Sequence, residues 1–410
     1  MALDGWAFLT MVTVLAVAGV IATLTVWQRV GRTFGGWRWP LRAIMVMSCQ
    51  FSAVLVLAVA VNDSFGFYAS WNDLLGTSGS LLPTRVSAGA QDGAYRAQLA
   101  AGASAGRGTV VPMVIAGPAS GVVAQPAFVY LPPQYGQAEY AHRSFPVVEL
   151  LDGYPGSPQS WLQSLHIRQV LDGEIAAGRT VPMIAVMPTQ TVAPPRDTEC
   201  VNVPNGPQVE TYLTRDVRRA VLHNFRASGE PRSWALLGYS TGGFCATNIL
   251  LHNGSMFGSA VSLAGYYSAV HDRTTGDLYG GSAARRLVNS PTWYGQHRAT
   301  PDDSLLIVDS RQDPGAMSQL TAFLSHLRPA LHISTLILVH GGHNPAVWRT
   351  EEPACLDWLG HQLIAPLAAG WTVRDVPQVL PAYYDWHLHR GLAKPSHRPT
   401  VHAAPARTRP

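Results

Sequence analysis

The stretch Trp234-Ala-Leu-Leu-Gly-Tyr-Ser-Thr-Gly-Gly-Phe244 decides how this chain is read. A short apolar run leads into G-x-S-x-G, with Gly238, Ser240 and Gly242 at its fixed places. Before the motif, Leu236 and Leu237 read as a buried strand. After it, Phe244, Ile249 and Leu250 read as the apolar side of a helix. The chemistry explains the spacing. A serine lifted out on a strained strand-to-helix turn leaves no room for side chains two residues away on either side. Glycines there let the turn close and expose the hydroxyl, which makes Ser240 the candidate nucleophile. The ordinary alternative is a serine that caps a helix. Gly102-Ala-Ser104-Ala-Gly106 repeats the pattern, but with no apolar strand before it and no amphipathic helix after it.

Outward from that turn the chain alternates. Thr109–Gly117 and Phe128–Leu131 read as strands near a sheet edge. Short apolar runs follow at Val147–Leu151, Met183–Met187, Trp234–Gly238, Ala260–Leu263, Leu305–Val308 and Leu336–Val339. Stretches of helical length, such as Gln208–Phe225 and Ala316–Leu327, lie between most of them. Strands apolar on both faces that alternate with helices predict a mostly parallel central sheet flanked by helices.

A serine nucleophile needs a base and an acid on later loops. The strand ending at Val339 runs into His340-Gly-Gly-His343-Asn344. His343, beyond the two glycines, can swing over the strand ends, whereas His340 still belongs to the strand end; His343 is the candidate base. The acid should follow Leu305–Val308. Asp313 sits on the loop and suits the role of fixing the histidine tautomer, with Asp309 the alternative. Two backbone N–H groups must hold an oxyanion. Thr241, next after the serine, supplies one, and Tyr154 in the turn after Val147–Leu151 supplies the other, since Pro155 has no N–H.

These motifs resemble the esterase-D superfamily branch that holds the mycolyltransferases of antigen-85 type and related bacterial esterases. The resemblance spans about residues 110–365. It is carried by Leu150-Leu-Asp-Gly-Tyr154, by Gly238-Tyr-Ser-Thr-Gly242, and by Gly341-Gly-His343 followed by Trp348. It implies an α/β-hydrolase fold and an acyl-enzyme on Ser240 with Asp313 and His343, with no metal or organic cofactor. Two departures bear on the substrate. Pro155 stands where mycolyltransferases typically carry Arg, and the candidate acid is Asp where theirs is commonly Glu. The expected activity is hydrolysis of an ester or acyl-lipid substrate. Acyl transfer to an alcohol or sugar is the near alternative, and a non-catalytic binding module on a hydrolase scaffold the distant one. Tyr266, Tyr267, Tyr279, Trp293 and Tyr294, in a segment expected over the site, suit either an acyl groove or ordinary packing.

Charged residues make up 13% of the chain, about half of the ~25% usual in soluble domains. Trp6 to Trp27 carries no charge, and Ala43 to Val61 is a second apolar run. Arg29, Arg32, Arg38 and Arg42 lie between them with no acid. The pattern predicts a transmembrane hairpin with its arginine loop in the cytoplasm and everything after Val61 outside. Two alternatives remain: a cleaved signal peptide, against which the start carries Asp4 and no Lys or Arg, and a second run that is a buried helix, which would place the large domain inside. The predicted units are 1–62 (hairpin), 63–108 (juxtamembrane aromatics and a flexible linker), 109–386 (catalytic domain) and 387–410 (a disordered basic tail). Basic residues are scattered rather than striped, which argues against nucleic acid as a partner. None of the four cysteines forms a CxxC pair. An outside location permits disulfides, and Cys200 and Cys245 both fall near the strand ends that build the site. The expected bridge is Cys200–Cys245, with Cys355 the other possible partner.

Overall fold

The computed structural model describes residues 6–33, 35–65, 93–298, 302–325, 327 and 331–366. Most of the expected juxtamembrane and linker segment and the basic tail lie outside the described residues. Two long helices come first, α1 (Trp6–Thr33) and α2 (Arg38–Phe65). Both are long and apolar enough to cross a membrane. They pack on each other through Phe8, Val12 and Val59. At the turn between them Arg42 lies over the Trp27 ring and donates to the Trp27 carbonyl at 3.2 Å.

The linker reading fails over Gly93–Ser104, which is a helix. Ala94, Ala97, Ala100, Ala101 and Ala103 make this segment a strong helix former, although it lacks an apolar periodicity. Leu99 packs on the main core. Ser104, centre of the second G-x-S-x-G, donates to the Ala100 carbonyl within its own helix.

Eight strands form one sheet: β1 (Thr109–Ile115), β2 (Gln125–Leu131), β3 (Val147–Leu151), β4 (Ile184–Pro188), β5 (Trp234–Tyr239), β6 (Ser259–Leu263), β7 (Ser304–Ser310) and β8 (His332–Leu338). Their order is β1-β2-β4-β3-β5-β6-β7-β8. β1 pairs antiparallel with β2, and β2 with β4. From β4 to β8 all pairs are parallel. Each sequence-read strand is present, with ends shifted by a few residues.

Alternation places the core. Val147 and Leu151 of β3 and Leu236 of β5 join one cluster; Val148, Leu150 and Leu237 join a second. The two clusters lie on opposite faces, so β3 and β5 are covered on both sides. Each fully buried Leu or Val contributes about 1.5–3 kcal/mol. That commitment fixes the register, because a one-residue slip would exchange the two faces. Glu149 breaks the pattern at the centre of β3. It is completely buried, and neither carboxyl oxygen has a hydrogen-bond partner among the described residues. Burial holds its pKa well above the usual value against the pull of Arg218. Burial therefore favours its neutral form.

The helix over Gly93–Ser104 rests on the turn Pro133–Gly136. A Cβ added at Gly136 would come within 2.6 Å of the Leu99 carbonyl oxygen and 3.1 Å of the Ala103 Cβ. Gly136→Val should lift this helix and leave the sheet intact. Hydrogen exchange of its amides is expected to rise about tenfold or more while β3 and β5 stay protected. Unchanged exchange in 93–104 would mean that the helix is not held there.

Candidate active site

Parallel strands aim their carboxyl ends at one rim, and the candidate residues lie there. β3 and β5 are neighbours, with Leu151 paired to Gly238. The turn after β3 therefore lies beside Ser240. The backbone passes so closely at this point that side chains are excluded. A Cβ on Gly238 would meet the Gly242 carbonyl oxygen at 2.0 Å, and one on Gly242 would meet the Leu151 carbonyl oxygen at 2.1 Å. Between them Ser240 holds φ 54 and ψ −120, a strained conformation for any residue but glycine. Its N–H donates to the Leu263 carbonyl at 2.9 Å, and its carbonyl accepts from Gly243 and Phe244 at the start of helix Thr241–His252. These bonds hold the strained residue in place.

His343 follows β8. Its Nε2 lies 2.9 Å from the Ser240 hydroxyl and its Nδ1 3.0 Å from Asp313 Oδ2. The acid accepts only, so Nδ1 carries the proton and Nε2 is free to accept from serine. Asp313 is held by its other oxygen. Oδ1 accepts from the Ala316 N–H at 3.1 Å and caps helix Pro314–Leu324. The histidine loop is tied to the acid loop: Gln312 accepts from the Gly341 N–H at 2.9 Å, and the Ser310 hydroxyl donates to the Gly341 carbonyl. Asn344 caps the next helix, Pro345–Gln362. Trp348 of that helix meets the His343 ring edge-on at 5.1 Å and stacks on Tyr239 at 4.6 Å.

The competing candidates fall elsewhere. His340 contacts Gln312 at 3.4 Å. Asp309 ends β7 inside the protein, and neither of its oxygens has a hydrogen-bond partner among the described residues. Burial, aided by Asp313 nearby, pushes it up to about 8. Thr241 follows Ser240 at the start of the helix, and Tyr154 lines the same cavity as Ser240. The Thr241 N–H is the first of its helix and has no in-helix acceptor. Tyr154 is held by its hydroxyl, which donates to the Pro195 carbonyl. Cys200 and Cys245 are joined in a disulfide with Cα atoms 5.6 Å apart, while Cys49 and Cys355 are free.

A cavity of about 110 Å³ opens at Ser240, lined by Gly153, Tyr154, Leu165, Tyr239, His343 and Trp348 among others. None of the five aromatic residues considered for an acyl groove lines it. Tyr267 is fully buried and stacks on Phe323 at 4.8 Å. Tyr266 stacks on Phe244, and Tyr294 packs against His252. Tyr279 and Trp293 line a separate cavity of about 660 Å³ that touches neither Ser240 nor His343.

Several buried acids lie close to the site, and none was singled out by its own chemistry in the sequence. Asp152, in the turn after β3, is buried with both oxygens unpartnered among the described residues, and burial pushes it up to about 8. Asp197 and Glu199 lie in the loop that leads to Cys200. Burial raises Asp197, and Glu199 to about 7, against the hydrogen bonds they accept.

The strand order and the serine turn are those of the α/β-hydrolase fold. The putative esterase family matches residues 125–323. An uncharacterised protein of Corynebacterium glutamicum is 28% identical over 250 residues, 58% of this chain; the chain spans 58% of that relative's length. Three solved structures share the fold. A ferulic acid esterase aligns with TM-score 0.55 at 20% identity, covering 63% of this chain and 98% of its own. An S-formylglutathione hydrolase of Agrobacterium tumefaciens aligns with 0.53 at 15%, covering 63% and 96%. A fluorophosphonate-binding serine hydrolase of Staphylococcus aureus aligns with 0.51 at 17%, covering 62% and 98%. The domain that carries Ser240 has the α/β-hydrolase fold.

The close approach at the serine turn has a thermodynamic signature. Gly238→Ala or Gly242→Ala should destabilise the protein by about 3 kcal/mol, because the new methyl meets backbone that cannot move aside. Gly173→Ala, in open space within helix Ile167–Ala176, should instead raise stability by about 0.5–1 kcal/mol. Unfolding curves of the three variants check this; equal effects would remove the steric account.

Proposed function

We propose that this chain is a membrane-anchored serine esterase that cleaves carboxylic esters through an acyl-enzyme on Ser240. The observation that carries the reading is the unbroken relay Ser240–His343–Asp313, with bonds of 2.9 and 3.0 Å, on the loops of an esterase-family domain. In the reaction the Ser240 oxygen attacks the ester carbonyl carbon, and its proton passes to His343 Nε2. Asp313 steadies the imidazolium. The N–H groups of Thr241 and Tyr154 receive the oxyanion. Collapse breaks the ester bond, and the departing alcohol takes the proton from His343. Water then attacks the acyl-enzyme by the same route and releases the acid.

The small volume beside Ser240, about 110 Å³, is below the ~300–1,000 Å³ of sites that enclose drug-sized ligands. It favours a short acyl group. The helices α1 and α2 would serve as the anchor, with the arginine-bearing turn in the cytoplasm and the hydrolase domain outside. The Cys200–Cys245 disulfide supports an oxidising surrounding.

A fluorophosphonate probe should label the detergent-solubilised protein at Ser240, and Ser240→Ala should abolish the adduct. No adduct on folded wild-type protein would defeat the esterase reading. Asp313→Asn should lower kcat by on the order of 10³–10⁴ by spoiling the histidine tautomer. Asp309→Asn should change it less than about tenfold, since a buried neutral acid already behaves like an amide; the reverse order would exchange the two roles. Protease added to intact cells should remove the hydrolase domain, and full protection would place it on the other side of the membrane.

A further inference from the structure

The loop that leads to Cys200 runs behind the serine turn. Asp197, Thr198, Glu199 and Cys200 are all buried, and Glu199 and Cys200 hold φ of 46 and 54. Two consecutive non-glycine residues in the left-handed region persist only when their surroundings hold them there. Two ties run from this loop to helix Thr241–His252. One is the disulfide to Cys245. The other is Asp197, whose Oδ2 accepts from the Thr241 hydroxyl at 3.1 Å while Oδ1 accepts from the Glu199 N–H at 2.9 Å. Glu199 in turn accepts from the Tyr266 hydroxyl and the Val270 N–H, both at 2.9 Å, and from the Tyr279 hydroxyl at 3.2 Å.

Thr241 is thereby gripped by its side chain in a buried polar network, in the first turn of a helix. Its hydroxyl sits two bonds from Cα, and its own N–H leaves the same Cα one bond away. A bond to the hydroxyl holds the Thr241 Cα from the side-chain end, while the Ser240 carbonyl, accepting from Gly243 and Phe244, holds the peptide plane that carries the N–H; the two together set where that N–H points.

We propose that Asp197 is a positioning residue: through the Thr241 hydroxyl it aims the backbone N–H that receives the oxyanion, and the disulfide keeps its loop against the same helix. This rests on the reading of Ser240 as nucleophile and of the Thr241 N–H as an oxyanion donor. An oxyanion donor acts on the transition state more than on the bound ester, so the loss should fall on kcat.

The test uses the full chain in detergent with p-nitrophenyl acetate, alongside fluorophosphonate labelling. Thr241→Val removes the hydroxyl and keeps the N–H. Thr241→Val and Asp197→Ala should each lower kcat about 10–100-fold, part of the 10²–10³ that a lost donor costs, with KM within about twofold. The double variant should be no slower than the slower single one, because both act through one bond. Thr241→Ser should recover most of the rate. So should Asp197→Asn, since the hydroxyl can donate to its oxygen or accept from its nitrogen. If Asp197→Ala fails to fold, the Val and Ser variants of Thr241 carry the test. A wild type that labels and turns over, beside variants that keep its kcat or lose only KM, would overturn the positioning role alone. A wild type that neither labels nor turns over would overturn the esterase reading and this inference with it.

Discussion

The molecule depends on one backbone crossing. At the ends of β3 and β5 the chain passes over itself at Gly238 and Gly242 with no room for a methyl group. That crossing turns β5 sharply into helix Thr241–His252 and lifts Ser240 above the sheet edge. Parallel neighbours then bring the remaining parts to it without long excursions. β3 delivers the turn with Tyr154, β7 delivers Asp313, and β8 delivers His343. The sheet's burial on both faces holds these strand ends in register, and caps and loop-to-loop bonds do the final aiming.

The fold and the central relay were legible because each leaves a mark in one dimension. Strands buried on both faces appear as short apolar runs, and the serine turn must have glycines two residues either side. His343 stood out because two glycines free it from the strand, and Asp313 because it falls on the loop and not at the strand end. Asp309 was a real competitor by position alone. What separates the two is that Asp309 is enclosed by the core and Asp313 faces the histidine, a difference of side-chain direction that spacing does not encode.

Other features had no such mark. The helix at Gly93–Ser104 is built from alanine, which favours helix by propensity and hides the apolar periodicity by which helices are found. The buried acids at Glu149, Asp197 and Glu199 are ordinary acidic letters in the sequence, and Asp152 sits in a motif that says nothing of its burial; only folding encloses them. The aromatic residues between β6 and β7 suggested a groove by composition, yet Tyr266 and Tyr267 spend their faces on Phe244 and Phe323. Composition cannot tell an aromatic that lines a cavity from one that fills it.

Asp313 uses one oxygen to begin a helix and the other to orient a histidine. A cap of this kind contributes about 1 kcal/mol, so the same carboxylate that tunes the imidazole also anchors the end of Pro314–Leu324. Chain economy follows: the acid needs no loop of its own. It also constrains how such a site can drift. A longer acid there would have to reach the histidine and release the helix, or keep the helix and overshoot the histidine. The architecture therefore favours the shorter side chain at this position wherever the cap and the relay share one residue.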